Sequence, residues 1–247
     1  MIDSHAHLLP DFVKNVDRLI ENAYHSGLKA VINSAIEPHH YKFAENLEEK
    51  NNGFIYTTLG FSASHIQTID FEEAYERIRA YPSLVAIGEV GLDYHWIKES
   101  YWQKKQEEVF LEFIKLANEK QKPLVIHSRK AERNCLELLE KNVEVPVLMH
   151  CFAGNLDEAR KILDLNWYIS IPTAVRTRKK HRKIAKKISL ENILVETDTP
   201  FLSPFPGKKN EPANVKYAIN EIAILKETTF KEVDIVTTRN AQEFYHL

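Results

Sequence analysis

Glycine is scarce in this chain, with seven in 247 positions. An open nucleotide-binding sheet needs a glycine-rich turn after its first strand. Here the first strand-like run ends in His5-Ala6-His7, so a phosphate-cradling loop is excluded at that point. Cysteine is rarer still. Cys135 and Cys151 stand far apart and match no zinc-ribbon or redox spacing, which excludes a disulfide scaffold and points to a reducing compartment. No apolar stretch approaches the ~20 residues of a membrane helix. The opening MIDSHAHLLP has neither the basic nor the apolar region of a secretory signal, so a cytoplasmic location without a membrane partner is expected. Charge of one sign is also missing. Lys and Arg number 33 against 35 Asp and Glu, and a net charge of -2 does not by itself call for nucleic acid.

What the chain does have is alternation. Strand-like runs fall at Ile2–His5, Ala30–Ala35, Phe54–Gly60, Leu84–Val90, Pro123–Ser128, Val145–Phe152, Trp167–Ser170 and Ile193–Asp198. Between them lie stretches with apolar residues three and four apart, such as Val109, Phe110, Phe113, Ile114, Leu116 and Ala117. Strand and helix in strict alternation require a parallel sheet with helical crossovers. Eight such units in one chain of this length predict an α/β fold, a (β/α)₈ TIM barrel, as one domain over residues 1–247. A further helix after Thr229, carrying Phe244 and Tyr245, is expected to pack on the bottom or side of the barrel. A doubly wound open sheet is the structural alternative.

Ligand-type side chains end these runs. His5 and His7 end the first, Glu89 the fourth, His127 the fifth, His150 the sixth and Asp198 the eighth. In a barrel those ends converge on one mouth. His5 and His7 are two apart, so on an extended strand both side chains point the same way and can share one divalent ion. Glu89 and Asp198 add carboxylate oxygens, and His127 and His150 supply nitrogens for a second ion. Glu89 is the expected bridge between two ions ~3.5–4 Å apart. Imidazole mixed with carboxylate suits Zn, Mn, Fe or Co, and Mg less naturally. Taken singly, each residue also reads as an ordinary strand-end, cap or turn residue. Their coincidence at one end of the barrel is what favours a metal centre.

At these residues the chain resembles the TatD-type metal-dependent deoxyribonucleases, within the amidohydrolase-like barrels. The resemblance runs from Ile2 to about Leu225, through Ile2-Asp3-Ser4-His5-Ala6-His7-Leu8, Gly88-Glu89-Val90-Gly91-Leu92-Asp93-Tyr94 and Lys122-Pro123-Leu124-Val125-Ile126-His127-Ser128-Arg129. It continues through His150-Cys151-Phe152-Ala153-Gly154, Leu194-Val195-Glu196-Thr197-Asp198-Thr199-Pro200-Phe201-Leu202 and Gly207-Lys208-Lys209-Asn210-Glu211-Pro212-Ala213. It implies a barrel, with His5, His7, Glu89 and Asp198 on one metal and Glu89, His127 and His150 on the other. It also implies hydrolysis of DNA phosphodiesters, often from the 3′ end. One segment departs from the pattern. Where such proteins carry Gly-x-His-Pro-His, this chain reads Gly60-Phe61-Ser62-Ala63-Ser64-His65, with His65 the candidate substitute.

The expected activity is therefore a metal-dependent hydrolase, a cytoplasmic 3′–5′ exonuclease-type DNase using one or two divalent ions (Mg, Mn, Zn, Co or Fe). Glu89 and Asp198 are its catalytic carboxylates, and Asp198 orients and deprotonates the attacking water. Single-stranded DNA or 3′ ends are the expected partner, and no obligate protein partner is implied. His65, Asp93, Tyr94 and Arg129 are candidate substrate contacts, Arg129 for a phosphate oxygen and Tyr94 or Trp96 for stacking a base. Arg176, Arg178, Lys179, Lys180, Arg182, Lys183, Lys186 and Lys187 crowd the segment after the seventh strand. Without them 25 basic residues face 35 acidic ones, so the positive charge is concentrated where a polyanion would approach, or forms a solvated helix face. The serines at 62 and 64 keep open hydrolysis of an ester or amide in a small molecule or aminoacyl-tRNA. A binding protein with a relict site is the remaining class, and the intact ligand set argues against it.

Overall fold

A computed structural model describes residues 1–247. Eight strands form one sheet in the order β1 to β8: β1 Ile2–Ala6, β2 Ala30–Ala35, β3 Ile55–Leu59, β4 Ala86–Asp93, β5 Leu124–Arg129, β6 Val147–Met149, β7 Tyr168–Pro172 and β8 Ile193–Glu196. Every paired neighbour is parallel. The helices are α1 Val16–His25, α2 Pro38–Lys50, α3 Phe71–Ala80, α4 Ser100–Lys120, α5 Glu132–Asn142, α6 Leu156–Asp164, α7 Lys179–Lys187, α8 Val215–Lys226 and α9 Phe230–Tyr245. One helix follows each strand and α9 is the extra one, as the alternation predicts. No helix is long and apolar enough to cross a membrane.

The seam between β1 and β8 is held differently from the other strand pairs. Its ladder is reduced to a single bridge, Ala6 to Thr199. The His7 N–H donates to the Thr199 carbonyl at 2.8 Å, and the Asp198 N–H to the His5 carbonyl at 2.9 Å. Fully buried Asp3 completes the closure, accepting from the Thr197 N–H at 2.8 Å and from its hydroxyl at 2.6 Å. The side-chain bonds supply what the short ladder lacks, and they fix the two strand ends that carry His5, His7 and Asp198.

The main core lies between the strands and the surrounding helices. A smaller cluster fills the opposite end of the barrel. Ile2, Ile32, Ala86, Val125, Leu148 and Leu194 point inward there and meet Ala241, Phe244 and Tyr245 of α9. Thr229 starts α9 by accepting from the Glu232 N–H, and the Tyr245 hydroxyl donates to the Ser4 carbonyl at 2.8 Å. The C-terminal helix therefore plugs the barrel bottom and leaves the mouth at the strand C-termini free. Only β2 keeps its predicted bounds, and β4, β6, β7 and β8 depart furthest from theirs, β8 ending at Glu196. β6 is only three residues long, because Pro146 has no N–H to donate and Cys151, at φ 46°, turns the chain away. β4 runs on to Asp93 and β7 to Pro172.

Candidate active site at the barrel mouth

Two irregularities aim the site. Between Asp3 and Ala6 β1 carries one residue more than β2, and between Gly88 and Val90 β4 carries one more than β5. Such bulges re-aim side chains at the rims of barrels. Glu89 is the extra residue in β4. Two glycines permit the close packing around it. A Cβ on Gly91 would lie 2.1 Å from the His127 carbonyl oxygen, and one on Gly60 would lie 2.2 Å from that of Glu89. Asp198 lies two residues past the end of β8 in the left-handed region, at φ 55°, which Asp tolerates better than most residues. That turn brings its carboxylate back toward His7.

The Glu89 carboxylate is shared between two groups. Its Oε2 lies 3.3 Å from His5 Nε2 and 3.6 Å from His7 Nε2. Its Oε1 lies 2.5 Å from His127 Nδ1 and 3.7 Å from His150 Nε2. His5 Nε2 and His7 Nε2 are 3.3 Å apart, and Asp198 Oδ1 is 3.5 Å from His7 Nε2. All six side chains named from the strand ends thus lie in one cluster around Glu89.

The second nitrogen of three of these imidazoles is tied to an oxygen. His7 Nδ1 donates to the Ser34 carbonyl at 2.9 Å, His150 Nδ1 to Glu196 Oε2 at 2.9 Å and His127 Nε2 to Asp93 Oδ2 at 2.9 Å. These bonds fix each ring's orientation, so the remaining nitrogen faces Glu89 or Asp198 and can bind a metal once it gives up its proton, the arrangement that outer partners give metal-binding histidines. His5 differs, since its Nδ1 is buried without a partner and its ring stacks on His150 with centroids 3.8 Å apart. Imidazole and carboxylate donors converging in this way fit a divalent transition metal. His5, His7 and Asp198 form one candidate group, and His5, Glu89 and His150 another.

Charge is balanced inside the cluster. Burial works to raise the Glu89 pKa, but the fields of His150 and His127 outweigh it and hold the carboxyl well below its usual range. Burial likewise opposes the charge on His127, yet Glu89 and Asp93 push its pKa up to about 9. His150 reaches about 10 against burial because Glu196 and Glu89 flank it. Asp198 is lowered despite burial by its bond to His7 and by the charge of His150, so it is an ionised base at neutral pH.

The candidate substrate contacts separate. Asp93 is 1 % exposed and stands behind His127, with Oδ1 taken by the His95 and Trp96 N–H groups. It is therefore a positioning residue, with no oxygen left for a substrate. The Tyr94 ring packs on the core and its hydroxyl donates to Glu107 at 2.7 Å. Trp96, 62 % exposed, is the free aromatic here, and the Arg129 guanidinium lies 5.6 Å from its ring centroid. Exposed His65 bonds Glu37 Oε1 through Nδ1 at 2.6 Å, and the Ser62 and Ser64 hydroxyls pair at 3.1 Å. The basic run is divided. Arg176 and Arg178 precede α7 on the mouth side, whereas Lys186 and Lys187 end that helix away from it. Sequence reasoning missed Glu196, which is fully buried and receives both His150 and the Ser170 hydroxyl, the latter at 2.5 Å. A buried glutamate two residues before Asp198 was the available signal.

A parallel eight-stranded barrel with histidines and carboxylates gathered at its C-terminal mouth defines a metal-dependent hydrolase. A family profile described as TatD related DNase matches residues 2–246, and the chain belongs to that TatD family. The metal-dependent hydrolase YabD of Bacillus subtilis is 35% identical over 259 residues, covering 100% of this chain and 99% of its own. Human deoxyribonuclease TATDN3 is 30% identical over 258 residues, with 99% and 94% covered. Among solved structures, the TatD homologue YJJV of Escherichia coli superposes with a TM-score of 0.89 at 23% identity, covering 100% of this chain and 98% of that one.

Proposed function

We propose that this hydrolase is a deoxyribonuclease that cleaves DNA phosphodiester bonds, working from the 3′ end of single strands. The observation that carries the reading is the position of Glu89, one oxygen toward His5 and His7 and the other toward His127 and His150. That is the donor set for two ions flanking one phosphoryl group. Glu89, His5, His7 and Asp198 would hold one ion, and Glu89, His127 and His150 the other. When bound, these ions supply Lewis acidity to the phosphoryl oxygen and to the attacking water.

The chain's own residues do the rest. Asp198, ionised and aimed at the centre, orients the water and takes its proton. Asp93 and Glu196 hold His127 and His150 in place. Arg129 over Trp96 offers a guanidinium for a phosphate beside an exposed ring for a base. Arg176, Arg178, Lys179 and Lys180 put positive charge on the exposed rim after β7. The name of the human relative supports the same substrate. The paired Ser62 and Ser64 hydroxyls, where the resemblance expects histidines, favour a second reading, an ester or amide of a small molecule or aminoacyl-tRNA.

The test is incubation of end-labelled single-stranded and duplex DNA with the protein and Mg, Mn, Co or Zn in turn, beside EDTA and Asp198→Ala controls. A metal-dependent ladder receding from the 3′ end, absent from both controls, is expected. No cleavage with any metal, from protein shown to bind metal, would overturn the nuclease reading and leave the ester or amide one.

A further inference from the structure

We propose that Asp11, His39 and His40 form a separate site for a divalent transition-metal ion on the rim of the mouth, apart from the central cluster. The three come from two segments that the barrel brings together, Asp11 in the loop after β1 and the histidines in the first turn of α2. His39 Nε2 lies 2.9 Å from Asp11 Oδ2, and His40 Nε2 lies 3.2 Å from the same oxygen. Consecutive residues on a helix do not ordinarily face each other. Here the two rings are 4.0 Å apart by centroid and bring both Nε2 atoms to one carboxylate oxygen. Tetrahedral zinc at about 2.0–2.1 Å from each donor separates those donors by roughly 3.3 Å, so little movement is needed to admit an ion.

The surroundings suit a cation. Glu37 stands behind His39, its Oε2 3.7 Å from Nδ1, and its other oxygen holds His65. Two carboxylates therefore serve this rim. His40 is 3 % exposed, so the core holds one donor of the site in place. The Asp11 and His39 side chains are 59 % and 58 % exposed, leaving the outer positions of an ion open to water or a ligand. Two imidazoles and one carboxylate with open positions favour Zn, Co, Mn or Fe over Mg. One feature limits the affinity. His40 Nδ1 is buried without a partner. Ligation through Nε2 moves the ring proton to Nδ1, and an unpaired buried N–H weakens binding about 10- to 100-fold. The rim ion, held by three donors of which two are exposed, is therefore the weakest-bound. A single ring, that of Phe12, separates the two sites, 5.6 Å by centroid from both His7 and His40.

The experiment uses the metal alone, so its outcome does not depend on what the central site hydrolyses. Metal-free full-length protein is titrated with Zn²⁺ by calorimetry, and bound zinc is counted after equilibrium dialysis. Wild type is compared with Asp11→Asn, His39→Ala and Asp198→Asn. The first two change exposed side chains, and circular dichroism verifies their fold. Wild type should take up one weak equivalent that Asp11→Asn and His39→Ala both lose, or bind more than about ten-fold less tightly. Asp198→Asn should keep it. Unchanged stoichiometry and affinity in both rim variants would show that these groups are surface ion pairs only. Loss of the same weak equivalent in Asp198→Asn would assign it to the central cluster. Either result overturns the proposal.

Discussion

Glu89→Gln is the perturbation that most sharply tests how the central cluster is built. The carboxylate has one oxygen within 3.6 Å of His5 and His7 and the other within 3.7 Å of His127 and His150. If it bridges, neutralising it must weaken both ions together. Changes to mere outer partners cost 10- to 100-fold in affinity, so loss of a bridging ligand should exceed about 100-fold at each ion, or about 2.7 kcal/mol. Asp198→Asn should weaken only the ion beside His7, and His127→Ala only the other. The metal-free protein gives an independent reading. Glu89 there offsets the charge on His127 and His150, and removing one partner of a buried pair costs about 3–5 kcal/mol. The two imidazoles are raised to about 9 and 10, so their ion-pair stabilisation is complete below about pH 6.5 and is lost as pH rises through those values. The variant's deficit in urea unfolding should therefore be about 3 kcal/mol at pH 7 and should shrink by pH 10. Calorimetric zinc titration gives the first result. If Glu89→Gln lost one of the two central equivalents and kept the other central one at wild-type affinity, bridging would be refuted.

Three further outcomes follow from the same geometry. Because His127 and His150 hold protons up to about 9 and 10, metal uptake at neutral pH must release them; apparent affinity should rise about ten-fold per pH unit for each proton displaced between pH 6 and 9, and calorimetry in buffers of different ionisation enthalpy counts those protons. Glu196→Gln removes the carboxylate facing His150 Nδ1, so the His150 titration followed by NMR in metal-free protein should move down from about 10, while His127, held by Glu89 and Asp93, shifts less; no change at His150 would remove Glu196 from the site. Phe244→Ala empties the plug at the barrel bottom, where this side chain is 1 % exposed, and should cost about 3–5 kcal/mol in chemical unfolding while leaving zinc stoichiometry unchanged.

The parts of this molecule that sequence reasoning reached are those with a period or a position. Alternating runs gave eight strands, and the ends of those strands placed His5, His7, Glu89, His127, His150 and Asp198 at one mouth because a barrel has only one C-terminal face. What it missed depends on contacts between residues distant in the chain. Asp93 reads in sequence as a loop acid near the mouth, and only the β4–β5 pairing shows it behind His127. Glu196 reads as one more residue of β8, and Asp3 as one more of β1. Their bonds to His150 and Thr197 span 46 and 194 positions. The scarce glycines were legible as an absence of phosphate loops, but not as the places where β4 presses against β3 and β5 around Glu89.

Glu89 is proposed to sit between two metal ions at the barrel mouth. Crystals of the protein soaked in Mn²⁺ or Zn²⁺ and measured at the metal's absorption edge test it most directly. Two strong anomalous peaks are expected on either side of the Glu89 carboxylate, one within bonding distance of His5, His7 and Asp198 and the other of His127 and His150. Peaks at the four histidines with none beside the Glu89 carboxylate, or no peak in the central cluster of protein that binds metal in solution, would contradict that placement.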